Sequence, residues 1–176
     1  MIRERLCLGL ALSLSLGACS KPEYRITIPP GKNFSITMPC QPKPHRETSS
    51  FKDYIVQSQV YECHGLDYAY VVTYSEYPVD IYKEYSAEEL LSDVVQHIEY
   101  AEPPLKFISK EPVEIGTTKG VEVKSRILSP HALYKNIIFY AGDGIYQVTY
   151  SAKKEKFKTP QVEAFYASMK ITEKKR

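Results

Sequence analysis

His45, His64, His97 and His131 are the side chains best suited to proton transfer or metal binding near neutral pH. They are scattered and show neither HxxxH nor HxH spacing, so each reads as a surface or interface histidine rather than a ligand. His97 falls between the apolar stripe of a helix and solvent. Nucleophilic hydrolysis would set a serine on a Gly-flanked strand-to-helix turn, and no GxSxG occurs, although a triad of unordered residues leaves no such mark. Glu88 and Glu89 are adjacent carboxylates, but the opening turn of a helix already accounts for acids there. Gly142-Asp143-Gly144 has the composition of a phosphate loop, yet it lies between two strands, which makes it a hairpin turn. No catalytic residue, metal ligand or cofactor is assigned.

Clearer chemistry resides in the cysteines. Residues 1–18 pass from a charged start with Arg3 and Arg5, through an apolar run from Leu6 to Leu16, to the small pair Gly17 and Ala18; this is a secretory signal pattern. The run is about 11 residues long, and a helix crossing roughly 30 Å of hydrocarbon needs about 20, so it does not read as a retained span. Leu16-Gly17-Ala18-Cys19 resembles the bacterial lipobox, in which the cysteine thiol takes up a diacylglycerol before the signal is cleaved. Two or three acyl chains, at about 0.8 kcal/mol per buried methylene, hold a protein durably on a membrane. Ser20, rather than Asp, follows the cysteine, and by resemblance to the sorting rule of enteric bacteria this favours the outer membrane over the inner.

Cys7 then leaves with the signal and Cys19 is the lipidation site. Cys40 and Cys63 remain as one pair in an oxidising compartment, where a disulfide is expected. Its closed loop of about 24 residues corresponds to roughly 3 kcal/mol of chain entropy. A four-ligand zinc site with His45 and His64 is the alternative. Against it, Cys63 and His64 are adjacent, and neighbours on a strand point to opposite faces.

Removing 18 of 176 residues leaves one ordinary domain, with residues 19–32 as an acylated, proline-containing tether and 33–176 as the folded unit. The chain carries 23 basic and 21 acidic side chains, and loses only Arg3, Arg5 and Glu4 with the signal, so its near-neutral charge argues against nucleic acid as a partner. Charge is nevertheless segregated. Residues 76–114 hold ten acidic and three basic groups, while residues 151–176 hold eight basic and three acidic. Solvated faces that attract each other are the plain account; a surface role for Lys153, Lys154, Lys156 and Lys158 against anionic lipid or an acidic partner is the sharper one.

The elements that must position these residues are legible from period. "NFSITMP" gives a strand with Phe34, Ile36 and Met38 on one face; "YIVQSQVYEC" and "DYAYVVTYSEY" form a hairpin through "HGL", with Gly65 offering a positive φ. Residues 85–100 turn helical: Ser86 and Glu89 make a capping box, and Leu91, Val94, Val95 and Ile98 a stripe. Four strands, "LKFISKEPVEI", "GVEVKSRIL", "ALYKNIIFYA" and "GIYQVTYSA", follow as an antiparallel meander. A second helix opens with Thr159 and Pro160 and lays down Val162, Phe165, Tyr166 and Met169, and "ITEKKR" adds a short strand. The order is α+β, a mostly antiparallel sheet flanked by two main helices.

This series of elements, from "FSITMPCQPK" through "YAYVVTY", "GVEVKSR" and "IYQVTYSA" to "VEAFYASMKIT", resembles small bacterial lipoproteins of the PsbP-like fold, an α/β/α sandwich. That family includes photosystem accessory subunits, envelope lipoproteins and chaperone-like adaptors. The resemblance implies accessory or binding work on an envelope protein partner more than catalysis, and it supplies no catalytic residue. The expectation is therefore a membrane-tethered, non-enzymatic binding module. A periplasmic hydrolase with an unordered site and a carrier of a small apolar ligand are the alternatives. Among fifteen tyrosines, Tyr68, Tyr70 and Tyr74 share a strand face, where strand propensity explains them. Tyr77, Tyr82 and Tyr85 are the candidate aromatic platform for a partner.

Overall fold

The computed structural model describes residues 24–28, 34–99, 105–127, 132–142 and 144–171. The expected signal segment, Cys19, His131 and Asp143 lie outside these residues.

Alternating apolar residues become two antiparallel sheets. The smaller contains β1 (Tyr24–Ile28), β2 (Phe34–Met38) and β10 (Lys170–Ile171), in the order β1-β2-β10. The larger is formed by β3 (Lys43–Phe51), β4 (Tyr54–His64), β5 (Tyr68–Glu76), β6 (Lys106–Ile115), β7 (Thr118–Ile127), β8 (Ala132–Ala141) and β9 (Gly144–Ala152). Its order is β3-β4-β5-β9-β8-β7-β6. The hairpin and the four-strand meander are as expected, and β5 pairing with β9 joins them.

Successive side chains point to opposite faces, so the central strands serve two cores. On one face Tyr70, Val72, Tyr74, Tyr146, Val148 and Tyr150 meet the small sheet and α3 (Pro160–Ala167). Phe34, Ile36 and Met38 of β2 are buried there, as the sequence pattern requires. On the other face Val123, Ile138 and Ile145 meet α1 (Ile81–Glu84) and α2 (Ala87–Glu99). Fully burying each large apolar side chain contributes about 1.5–3 kcal/mol, which is what holds these layers together. Helix, sheet and helix thus form the expected layered α+β arrangement. Among the described residues no helix is long and apolar enough to cross a membrane.

Both main helices begin where capping residues stop the preceding chain. The Ser86 backbone N–H donates to Glu89 Oε2 (2.7 Å) and the Glu89 N–H donates to Ser86 Oγ (3.2 Å). These bonds satisfy two otherwise unpaired donors of the first turn. Thr159 caps α3 by accepting from the Val162 N–H, with Pro160 at the first helical position. The α2 stripe is rolled from its expected setting. Leu90 and Val95 are the buried residues, whereas Leu91, Val94 and Ile98 are half-buried.

Three expectations are corrected. The expected tether runs to residue 32, but Tyr24–Ile28 is a strand paired with β2, and Ile28 is fully buried. Its alternation of Tyr24, Ile26 and Ile28 matches that of β2, and the flanking Pro22, Pro29 and Pro30 disguise it as a linker. Second, β3 was not anticipated, because all of its residues except Phe51 are exposed. It is an edge strand, and the charged residues Lys43, Arg46 and Glu47 keep it from pairing onward. Third, Gly65 has no positive φ; the described glycines with one are Gly116 and Gly142, in hairpin turns. Gly65 is required by close approach, since a Cβ there would lie 2.4 Å from the Tyr68 ring.

Cys40 and Cys63 are disulfide-bonded, with Cα atoms 6.0 Å apart, and clamp the chain leaving β2 to β4 of the large sheet. Sulfurs bonded to each other offer no thiolate to a metal, so the zinc alternative falls.

Candidate functional site

The rolled setting of α2 opens a cleft between its C-terminal half and the large sheet. Where the sheet lies beneath α1 and the start of α2, its face is apolar. Farther along the same strands the composition changes: Thr73 and Ser75 on β5, Gln147 and Thr149 on β9, and Asn136 on β8 form a polar floor. Strand register places them together, with Thr73 opposite Gln147 and Asn136 opposite Thr149. Val94 and Ile98 overhang from α2, and Val56, Val71, Phe51 and Tyr134 complete the walls. The cavity measures about 520 Å³, within the roughly 300–1,000 Å³ typical of small-ligand sites.

A hydrogen-bond network fixes the floor. The Thr149 hydroxyl donates to Asn136 Oδ1 (2.7 Å), and Gln147 Nε2 donates to the same oxygen (3.1 Å) and to Thr149 Oγ1 (3.3 Å). Ser58 and Ser75 share a hydrogen bond of 2.9 Å at the β4–β5 side. Asn136 is 2% exposed, so these bonds offset the desolvation of an amide held in the sheet face. On the same face Ser125 of β7 is fully buried, and its hydroxyl has no partner among the described residues.

Electrostatically the floor is neutral. The ionisable pair at the cleft is Asp93 with His97, whose Nδ1 lies 2.9 Å from Asp93 Oδ2. The Tyr77 phenol in the wall is pushed up to about 12, first by burial and then by the Asp93 charge, and stays protonated at neutral pH. Asp93 and His97 have the composition of an acid–base pair, but His97 is largely exposed, and Ser75 is bonded to Ser58 rather than to it. Among the described residues of the cleft, no hydroxyl is hydrogen-bonded to Asp93 or His97.

The three aromatic candidates are not side by side on an open surface. Tyr77 is 6% exposed and packs edge-on to Phe51, and it reaches the cleft as part of its wall. Tyr85 packs against Phe51 and lies under the Lys52 ammonium, and Tyr82 packs against Tyr140; both are half-buried. The expected cluster is thus a structural corner that ties α1 to the sheet. Tyr70 and Tyr74 are buried in the opposite core, as strand propensity implies, and Tyr68 packs against that core.

The four lysines are divided. Lys153 and Lys156 both bind Asp67, at 2.7 and 2.8 Å, and hold its carboxyl down to about 2. Lys154 and Lys158 are exposed, without ion pairs among the described residues. Two of the four lysines are thus paired with Asp67 in the β4–β5 turn. His45 and His64 flank Glu62 across β3 and β4, and the hydrogen bond from His64 is the main cause holding the Glu62 carboxyl below its usual range. The exposed Ile55, Leu66, Val79 and Ile108 stand on separate elements and form no patch by sequence position.

Of the cleft residues, sequence reasoning singled out His97 and Tyr77 and missed those of the polar floor. Their signal was present, as Asn136 within "KNIIF" and Gln147 and Thr149 within "IYQVTY". Alternating polar residues read as a solvated face, and only the helix above them makes a site.

No family model matches the chain, and no curated protein matches it. Among solved structures it is similar to cyanobacterial PsbP (CyanoP) from Synechocystis sp. PCC 6803, with 13% identity, 88% of this chain and 95% of that chain covered, and a TM-score of 0.54. At that identity the likeness carries the fold alone, and the fold is PsbP-like.

Proposed function

We propose that this chain is a membrane-tethered envelope lipoprotein whose domain is a non-enzymatic binding or accessory module, with the cleft under α2 as its contact site. The observation that carries this reading is the cleft's construction: a preformed cavity with a neutral, internally bonded floor and apolar walls. Such a floor recognises by shape and hydrogen bonding, and it lacks the nucleophile and base in mutual reach that acyl or phosphoryl chemistry needs. The lipobox-like Leu16 to Cys19 order supports the tether, Ser20 in place of Asp after it supports the outer membrane, and a domain held there by a short tether has envelope components within reach as partners.

The test compares envelope components recovered with the protein from detergent-solubilised membranes. Val94→Arg, which sets a long cation over the cleft mouth, should abolish recovery of a specific partner, while His45→Ala and His64→Ala, both away from the cleft, leave it intact. A hydrolase reading draws on the Asp93–His97 pair at the cleft rim. If His97→Ala folds and localises normally yet loses the cellular role, that reading takes first place.

Anchoring is tested separately. Cys19→Ser should remove the lipid mass from the mature chain and either release the domain or leave an uncleaved precursor. Unchanged processing and equal membrane retention, with no lipid mass on the wild type, would refute the tether.

A further inference from the structure

We infer that the cleft under α2 binds a neutral saccharide of one or two rings. This rests on the reading of the domain as a binding module and names the ligand class of that same site.

Charge comes first. The floor residues Thr73, Ser75, Asn136, Gln147 and Thr149 carry no ionisable group, and Asp93 and His97 at the rim engage each other. A carboxylate, phosphate or ammonium seated on that floor would lose its hydration without gaining a counter-charge, which is costly. The ligand is neutral.

Donor and acceptor arithmetic comes second. Asn136 Oδ1 accepts twice, and the single hydroxyl proton of Thr149 is spent on it. What the network leaves unbonded among the described residues is therefore Gln147 Oε1, the Thr73 hydroxyl and, almost wholly covered, the Asn136 amide N–H groups, donors and acceptors side by side. A purely apolar ligand would take these groups from water and leave them unmet, which weakens its binding. A hydroxyl both gives and accepts a hydrogen bond, and several on one ring satisfy a mixed floor.

Shape is third. Val56, Val71, Val94, Ile98 and Tyr134 give the walls an apolar and aromatic character. A sugar ring has C–H faces for such walls and hydroxyls at its edge for such a floor; an alkyl chain matches the walls alone. The polar groups are spread over β5, β9 and β8, three neighbouring strands. At roughly 4.8 Å between strands they span about 10 Å, the reach of one or two rings.

The full acylated chain is placed in phospholipid nanodiscs, free of sugar-headed detergent, and the side-chain amide NMR signals of Asn136 and Gln147 are followed. Glucose, galactose, N-acetylglucosamine, maltose and cellobiose are titrated in turn, with glucuronate and decanoate as charged and aliphatic probes. At least one neutral sugar should shift both amides saturably and bind roughly tenfold or more tightly than either probe. Thr73→Val, which keeps the side-chain shape, and Gln147→Leu should each weaken that sugar by about tenfold, read by isothermal titration, whereas Lys154→Ala should not. Thr73→Val decides the matter if Gln147→Leu fails to fold. Absence of saturable shifts with every sugar, or equal binding of decanoate, overturns the proposal. If the sugars fail while Val94→Arg still abolishes partner recovery, the ligand class is wrong and the binding-module reading stands. If Val94→Arg leaves recovery intact as well, both fall.

Discussion

Phe139→Ala is expected to destabilise the domain by about 3–5 kcal/mol, the usual cost of emptying a buried aromatic site. Phe139 is fully buried on β8, stacks on Tyr146 with ring centroids 5.2 Å apart, and meets Phe34 of β2 at 5.4 Å. Tyr146 in turn packs on Phe34 and donates its hydroxyl to the Ile28 carbonyl at the end of β1. These rings are the bond between the two sheets, so removing one leaves a cavity that neither sheet can close without shifting. Domains of this size have about 5–15 kcal/mol in total. A loss of several kcal/mol therefore lowers the melting temperature by on the order of 10 °C. Urea denaturation followed by circular dichroism checks it, with Phe139→Leu expected to lose about 1.5 kcal/mol or less because it retains most of the volume. A cost below about 1 kcal/mol for the alanine variant would mean that the small sheet is held by something other than this cluster.

The second large effect is expected from the disulfide. A double variant, Cys40→Ala with Cys63→Ala, should lose about 3 kcal/mol, the chain entropy released when a loop of this size is opened. The sequence separation is 23, and the clamp joins the end of β2 to β4. Cys63 is also buried in the same core as Tyr70 and Tyr150, so the alanine there removes packed volume too. Reduction of the wild type separates the terms, because it opens the loop while keeping the sulfurs. Reduced wild type should fall most of the way to the double variant. Equal stability before and after reduction would show that the pairing of β2 with β1 and β10 already fixes the chain without the clamp. Cys63 on β4 pairs with Tyr70, whereas Phe139 lies three strands away on β8, in line with Tyr146 and Tyr74, so the effects of the two changes are expected to add.

Much of the architecture was written in local pattern. The capping box at Ser86 and Glu89, the Thr159-Pro160 start, the β6 to β9 meander and the Phe34-Ile36-Met38 face all follow from hydrogen-bonding capacity and period, which act over a few residues. Cys40 and Cys63 could be paired because, once Cys7 and Cys19 are set aside, no other cysteine remains.

What the sequence left open depended on partners far along the chain. β1 and β3 carry weak signals, since one is flanked by prolines and the other is a charged edge; pairing with β2 and with β4 makes them strands. Tyr77 had the composition of a contact residue until Phe51, 26 positions earlier, was found against it. The cleft is the clearest case. Thr73, Asn136, Gln147 and Thr149 come from three strands, and register between β5, β9 and β8 brings them to one floor. Period 2 states that they share a face, but not whether water or a helix lies above it. That was decided by the roll of α2, which buries Leu90 and Val95 and leaves Val94 and Ile98 overhanging the floor, and helix roll is set by how the helix's side chains interlock with those beneath, which come from strands far along the chain.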